Sequence, residues 1–129
     1  DFLNRNAPGH WIYEDRHVAG LLSLEEHPLI VPKPHFADVF ELDEIHAAAV
    51  MQAAVRVAKA TKIATHCDGI NLVQSNGVAA GQDVFHFHLH IKPRFQHDDV
   101  KMSWDARAID DEIRTKTSAA ITQQLDKFL

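Results

Sequence analysis

Cysteine occurs once in the 129 residues, as Cys67, which excludes an internal disulfide framework and leaves no cysteine pair for a zinc knuckle. A reducing, cytoplasmic setting is the expectation. Basic charge is also scarce: Lys and Arg number 13 against 18 Asp and Glu, giving a formal charge of −5 and a pI near 6.0. Such a chain has no field for gripping long nucleic acid, although a small anion needs only a local positive site. No run approaches the ~20 apolar residues of a membrane span, and the opening DFLNRNAPGH has no basic stretch leading into an apolar one. Neither export by a visible signal nor membrane insertion is expected. No repeat, low-complexity tract or linker divides the chain, and 46% hydrophobic residues suit the core of one compact domain over 1–129.

The first third reads as short strands. His10 to Glu14, His17 to Leu24 and Leu29 to Lys33 are apolar or β-branched runs separated by polar breaks, a natural meander. Pro32 and Pro34 end the third run, because proline removes a ladder donor and biases its predecessor away from helix. From Asp43, a suitable N-cap, apolar residues recur at Ala47, Val50, Met51, Ala54, Val55 and Ala58, one face of a helix running to about His66. Glu44, Gln52, Arg56 and Lys59 fall on its wet side. A further strand, Ile70 to Ser75, leads through NGVAAGQD into a second run, forming a long hairpin. At the C-terminus, Ile109, Ile113, Thr117, Ile121, Leu125 and Phe128 follow helical spacing, with Asp110, Asp111 and Glu112 in the first turn where the helix dipole favours them. The expected architecture is α+β: a roughly five-stranded, mainly antiparallel sheet, one long central helix packed on it, and a C-terminal helix over about 106–128 closing one edge.

Histidine is abundant where cysteine is not. Ten are present, and VFHFHLHIKPR at 84–94 places His86, His88 and His90 on alternate positions. On a strand rising ~3.3 Å per residue these would line one face at ~6.6 Å intervals, with Phe87, Leu89 and Ile91 facing the core. A solvated strand face could alternate this way, but such a face normally mixes Thr, Lys, Glu and Ser. Two histidines could instead chelate a metal, neutral imidazole being a common zinc ligand. The first and third, however, lie ~13 Å apart on a flat strand, too far for one ion. In a competing reading the row receives a phosphate: a central neutral imidazole attacks phosphorus while its neighbours bind oxygens and move the leaving group's proton.

The run HFHLHIK, together with WIYEDRHV, HPLIVPKPH at 27–35 and NGVAAGQD, resembles the histidine triad (HIT) superfamily of nucleotide hydrolases and transferases, in matching order over roughly residues 7–95. The resemblance implies that His88 is the nucleophile, forming a covalent nucleotidyl-histidine on the α-phosphate. It gives His90 the leaving-group side, the backbone around His86 the task of fixing the nucleophile's tautomer, and His27 the place of a fourth family histidine. Gly81 and Gln82 match a Gly-Gln pair that contacts the phosphate or leaving group, and an Asn near the start of that loop falls on Ser75 or Asn76. Asp83 departs from the family's Ser or Thr, and an anion there repels phosphate unless it points away or meets a cation. LLSLEEH is shorter than the family stretch whose Asp binds the ribose hydroxyls. Some members hold a structural zinc with an N-terminal Cys-x-x-C and two histidines that would match His35 and His86; those cysteines are absent here, so no metal and no cofactor is expected. The resemblance further implies a homodimer acting on a small nucleotide, such as a purine nucleoside monophosphate joined to an amine, acyl group or second phosphate. His10, His17, His46, His66 and His97 read as surface or cap residues.

Overall fold

The computed structural model describes residues 10–105 and 107–129. In chain order the elements are β1 (His10–Glu14), β2 (Val18–Leu22), β3 (Pro28–Pro32), α1 (Glu44–Thr65), β4 (Gly69–Val73), β5 (Leu89–Arg94) and α2 (Asp111–Leu125), with short 3₁₀ turns at Val78–Ala80 and Asp126–Phe128. Two compact units result, Asp1–Asp98 with the sheet and α1, and Asp99–Leu129 with α2. The sheet is five-stranded and antiparallel, in the order β1-β2-β3-β5-β4. The first three strands form the expected meander, whereas the later hairpin enters with its second strand first, so β5 lies beside β3 and β4 takes the edge. Among the described residues no helix is long and apolar enough to cross a membrane.

Local chemistry closes each turn. The Asp15 carboxylate accepts from the amides of His17 and Val18 and from the Tyr13 hydroxyl, folding the β1–β2 connection. Asp43 caps α1 by accepting from the His46 amide at 2.8 Å, and His66, at φ 58°, ends it in the left-handed conformation. The expected extent of α1 therefore holds, but its buried face is rotated. Ala49, Val50, Ala53, Ala54, Val57 and Thr61 face the sheet, while Ala47, Met51 and Val55 are exposed. Both stripes are apolar, so periodicity alone could not choose between them. The chosen one carries three alanines, which let the helix axis approach the sheet closely. In the second unit α2 begins at Asp111, later than the expected 106, because Asp110 serves as its N-cap, accepting from the Glu112 amide.

The core under α1 joins Val18, Ile30, Phe87 and Ile91 to the helix alanines and valines. Ile30 is 0% exposed on the central strand, and Ile30→Ala should cost about 3 kcal/mol, the usual range for emptying a packed aliphatic site. Urea unfolding monitors this as a lowered midpoint at unchanged slope. The register fixes what the opposite face carries. One row across the sheet runs Trp11, Leu21, Leu29, His90, Val73. Its apolar members lie beside a small buried cluster of Ala19, Leu21 and Val31, with Trp11 packed against it. The histidines are thus presented on the face away from α1, next to an apolar floor.

Candidate active site

β5 begins only at Leu89, so the expected histidine strand is shorter than its alternation suggests. β3 stops at Pro32, whose missing N–H cannot extend the ladder, and pairing with β5 is confined to Leu29–His90 and Ile30–Leu89. The preceding segment is held by other bonds: the Phe87 amide donates to the Phe36 carbonyl at 2.6 Å, and His86 Nε2 donates to the Pro32 carbonyl at 2.9 Å. His86 consequently turns toward β3, where its ring meets His35 edge-on at 5.2 Å. The flat row at ~6.6 Å spacing gives way to a tighter cluster. The rings of His88 and His90 are 4.8 Å apart and near perpendicular, and His27, from the start of β3, stands 5.0 Å from His90 with its Nε2 at 2.8 Å from His90 Nδ1.

One hydrogen bond sets the chemistry of the centre. His88 Nδ1 lies 2.8 Å from the His86 carbonyl oxygen. A carbonyl only accepts, so Nδ1 carries the proton and the lone pair of the neutral ring resides on Nε2. That is the tautomer a nitrogen nucleophile requires. The sequence reading anticipated that backbone near His86 would do this; here it is the carbonyl of His86 itself.

The surroundings keep the other rings neutral. Burial, then the positive charge available at His88, His27 and Lys92, pushes His90 down to about 4, with Asp83 pulling the opposite way. Burial and then Lys92 lower His27, opposed by Glu25, and burial lowers His86 against the hydrogen bond to Pro32. All three rings bind protons less readily folded than unfolded. Below the ordinary histidine value of 6.5 the unfolded chain takes up more protons, so stability present at neutral pH is lost as pH falls toward about 4. Thermal melts across that window should show a falling Tm with a shallower slope in His90→Gln; a Tm that holds steady would contradict this.

The NGVAAGQD loop folds around its own side chains. Gly77 and Gly81 adopt φ of 89° and 91°, which favour glycine. Gln82 is buried, accepting from the Gly77 amide at 2.8 Å and donating to the carbonyls of Ala37 and Val84 at 2.6 and 3.1 Å. Its amide therefore latches the loop to the segment after β3. Asn76 accepts from the Val39 amide at 2.7 Å and exchanges two hydrogen bonds with Gln74, whose Nε2 also reaches the Ser75 carbonyl. Asp83 is exposed and acts electrostatically on His90. The structure thus gathers His27, His88 and His90, with the charge of Asp83 acting on His90, and places Gln82, Asn76 and Ser75 in the bracing of the loop.

Two charged neighbours escaped the sequence reading. Lys92 continues the alternation of His86, His88 and His90 by one step, a signal that was available. Glu25 sits 3.9 Å from His27 Nδ1, a proximity that only the tightness of the β2–β3 turn creates. Among the described residues no three His, Cys, Asp or Glu side chains gather as a metal site. Of the histidines set aside, His66 is a cap, whereas His46 is part-buried, bonded to Asp43 at 2.7 Å and packed on Phe36 and His17.

Comparison with known proteins gives the family. Residues 4–97 match the HIT domain. Protein hit of Bacillus subtilis is 34% identical over 110 residues, covering 81% of this chain and 76% of its own. Adenosine 5'-monophosphoramidase HNT1 of Saccharomyces cerevisiae is 36% identical over 113 residues, covering 84% and 69% respectively. The crystal structure of a HIT family member from Bacillus subtilis superposes with a TM-score of 0.89 at 30% identity, over 96% of this chain and 93% of that one. With the domain model spanning most of its length and relatives at this identity, the chain belongs to the HIT family.

Proposed function

We propose that this chain is a nucleotide hydrolase or transferase that cleaves a nucleoside monophosphate from its leaving group through a covalent bond to His88. The observation that carries the proposal is the His88 Nδ1 bond to the His86 carbonyl, which leaves the ring's lone pair on Nε2. Nε2 attacks the α-phosphorus, a P–N bond forms, and the bond from phosphorus to the leaving group breaks. A bound phosphate's negative charge raises the proton affinity of the His27–His90 pair, so the pair takes up one proton and delivers it to the departing atom. Water then attacks phosphorus, His90 accepts a proton from it, and His88 is released. The yeast relative's name, a monophosphoramidase, supports an amine as one leaving group.

Turnover of adenosine 5'-phosphoramidate against diadenosine polyphosphate tests the reading and separates it from a dinucleoside polyphosphate hydrolase. Asp83 favours one rival, a nucleotide-binding regulatory module with little turnover; tight monophosphate binding without hydrolysis of either substrate would support it. The single cysteine, buried and free, is compatible with cytoplasmic function. A homodimer is part of the proposal, because α1 leaves Met51 and Val55, one turn apart, at 49% and 41% exposure, an apolar patch suited to a second copy. Sedimentation at micromolar concentration should give twice the 14.5 kDa chain mass, and a monomer would contradict it.

A further inference from the structure

Lys92 extends the alternation of His88 and His90 by one step along β5, and Ile91, between His90 and Lys92, is 0% exposed in the core under α1. The lysine side chain therefore leaves the sheet on the face that carries the histidines. Register fixes what lies on either side of it. On β4 its partner is Asn71. On β3 the pairs Leu29–His90 and Ile30–Leu89, carried two steps on, bring His27 opposite Lys92. Opposed residues on one face stand about 5 Å apart at Cβ, and His27 is the ring that meets His90, its Nε2 2.8 Å from His90 Nδ1.

The next cation along the same face is already engaged. Arg94 donates from Nε and Nη2 to Asp98 at 2.9 and 2.8 Å and from Nη1 to Asn71 at 2.7 Å. Lys92, half-buried between His27 and Asn71, makes no hydrogen bond or ion pair among the described residues. Two carboxylates oppose it from outside. Glu25, 3.9 Å from His27 Nδ1, is 78% exposed, and Asp83 is exposed as well. The lysine charge acts more strongly on His27 than that of Glu25, and more strongly on His90 than that of Asp83. It has no part in the environment of His86, at the other end of the cluster.

We propose that Lys92 reads the charge of the leaving group, its ammonium pairing with one that ends in an anionic oxygen group, a further phosphate or a carboxylate. The inference rests on the hydrolase reading above, which puts the departing atom at His90. Alternate residues of a strand are ~6.6 Å apart, a gap that the four-carbon stem of a lysine spans, so the ammonium reaches a group held there. Having no partner to relinquish, it pairs with an arriving anion without breaking an existing bond, while a neutral tail gains nothing and a cationic one is repelled. The pair is partly solvated, so its contribution is modest and screened by salt.

Two adenosine 5'-phosphoramidates whose leaving amines have equal length, one ending in a methyl group and one in a carboxylate, test this. Their kcat/KM values are compared as a ratio within each variant, so that any change at His90 common to both substrates cancels. At low ionic strength the wild-type ratio should favour the carboxylate substrate about fivefold, chiefly through KM, and shrink in about 0.5 M salt. Lys92→Met, which keeps the length of the stem, should bring the ratio near one; Lys92→Arg should preserve it and Lys92→Glu should invert it. Equilibrium titration with adenosine 5'-diphosphate and 5'-monophosphate repeats the comparison without turnover, and the wild-type preference for the diphosphate should drop about fivefold in Lys92→Met. A wild-type ratio near one, or a preference undiminished in Lys92→Met, overturns this inference alone. Turnover of neither phosphoramidate overturns the hydrolase reading, and the titration then decides Lys92 by itself: a diphosphate preference lost in Lys92→Met supports the anion-binding role, and one retained overturns it.

Discussion

Replacing His88 by alanine or asparagine is expected to lower kcat by at least ~10³-fold, the scale on which removal of a covalent nucleophile registers, with little change in affinity for a nucleoside monophosphate. The two halves follow from different parts of the site. Bond formation to phosphorus needs the Nε2 lone pair, and in His88 the proton is held on Nδ1 by the His86 carbonyl at 2.8 Å. On the proposed reading, affinity draws on the flanking rings of His27 and His90, which the substitution leaves in place 2.8 Å from one another. Single-turnover kinetics and equilibrium titration of the same variant separate the two effects. A variant that loses affinity and rate together would point to His88 as a binding group.

His90→Ala should cost ~10² to 10⁴-fold in turnover of an alkyl phosphoramidate, because the attacking atom remains while the proton donor is lost. The size of the loss should depend on the leaving group. An amine of high basicity cannot depart without a proton, whereas a nitrophenolate leaves as a stable anion, and for it the deficit should contract to about tenfold. The reasoning rests on the His27–His90 contact of 2.8 Å and on a half-buried imidazole pushed to about 4 in the protein. Such a ring is neutral at pH 7, receives a proton when an anion binds, and readily gives it up. Rates measured for a series of leaving groups with wild type and variant decide the matter. Equal losses across the series would assign His90 a positioning role instead.

The parts of the fold legible in the sequence are those set by near neighbours. Asp43 caps the helix it was expected to cap, His66 ends it, and Pro32 ends β3. All three depend on the chemistry of one residue and the few beside it. The errors arise where distant segments decide. The alternation of His86, Phe87, His88 and Leu89 is that of a strand, but a strand also needs a partner, and the partner runs out at Pro32, 54 residues earlier than His86. The face that α1 buries depends on which of two apolar stripes the sheet accepts, a question settled by alanine's size at 49, 53 and 54. In the site, motif resemblance pointed to His27, His86, His88 and His90, and the fold draws His27 and His90 together across 63 positions. Composition offered no hint that Gln82 would spend its amide on Ala37, 45 residues away. Glu25 lay hidden in a turn whose tightness only the hydrogen bonds of Ser23 and Glu26 reveal.

The central claim is that His88 bonds covalently to phosphorus during turnover. Rapid acid-free quenching of the protein with an adenosine phosphoramidate, followed by intact-mass measurement and peptide mapping, tests it most directly. The account predicts a single nucleoside monophosphate adduct on the peptide containing His88, located at that residue, formed within the first turnover and lost on longer incubation. An adduct on another residue, or steady turnover with no adduct at any time, would contradict it.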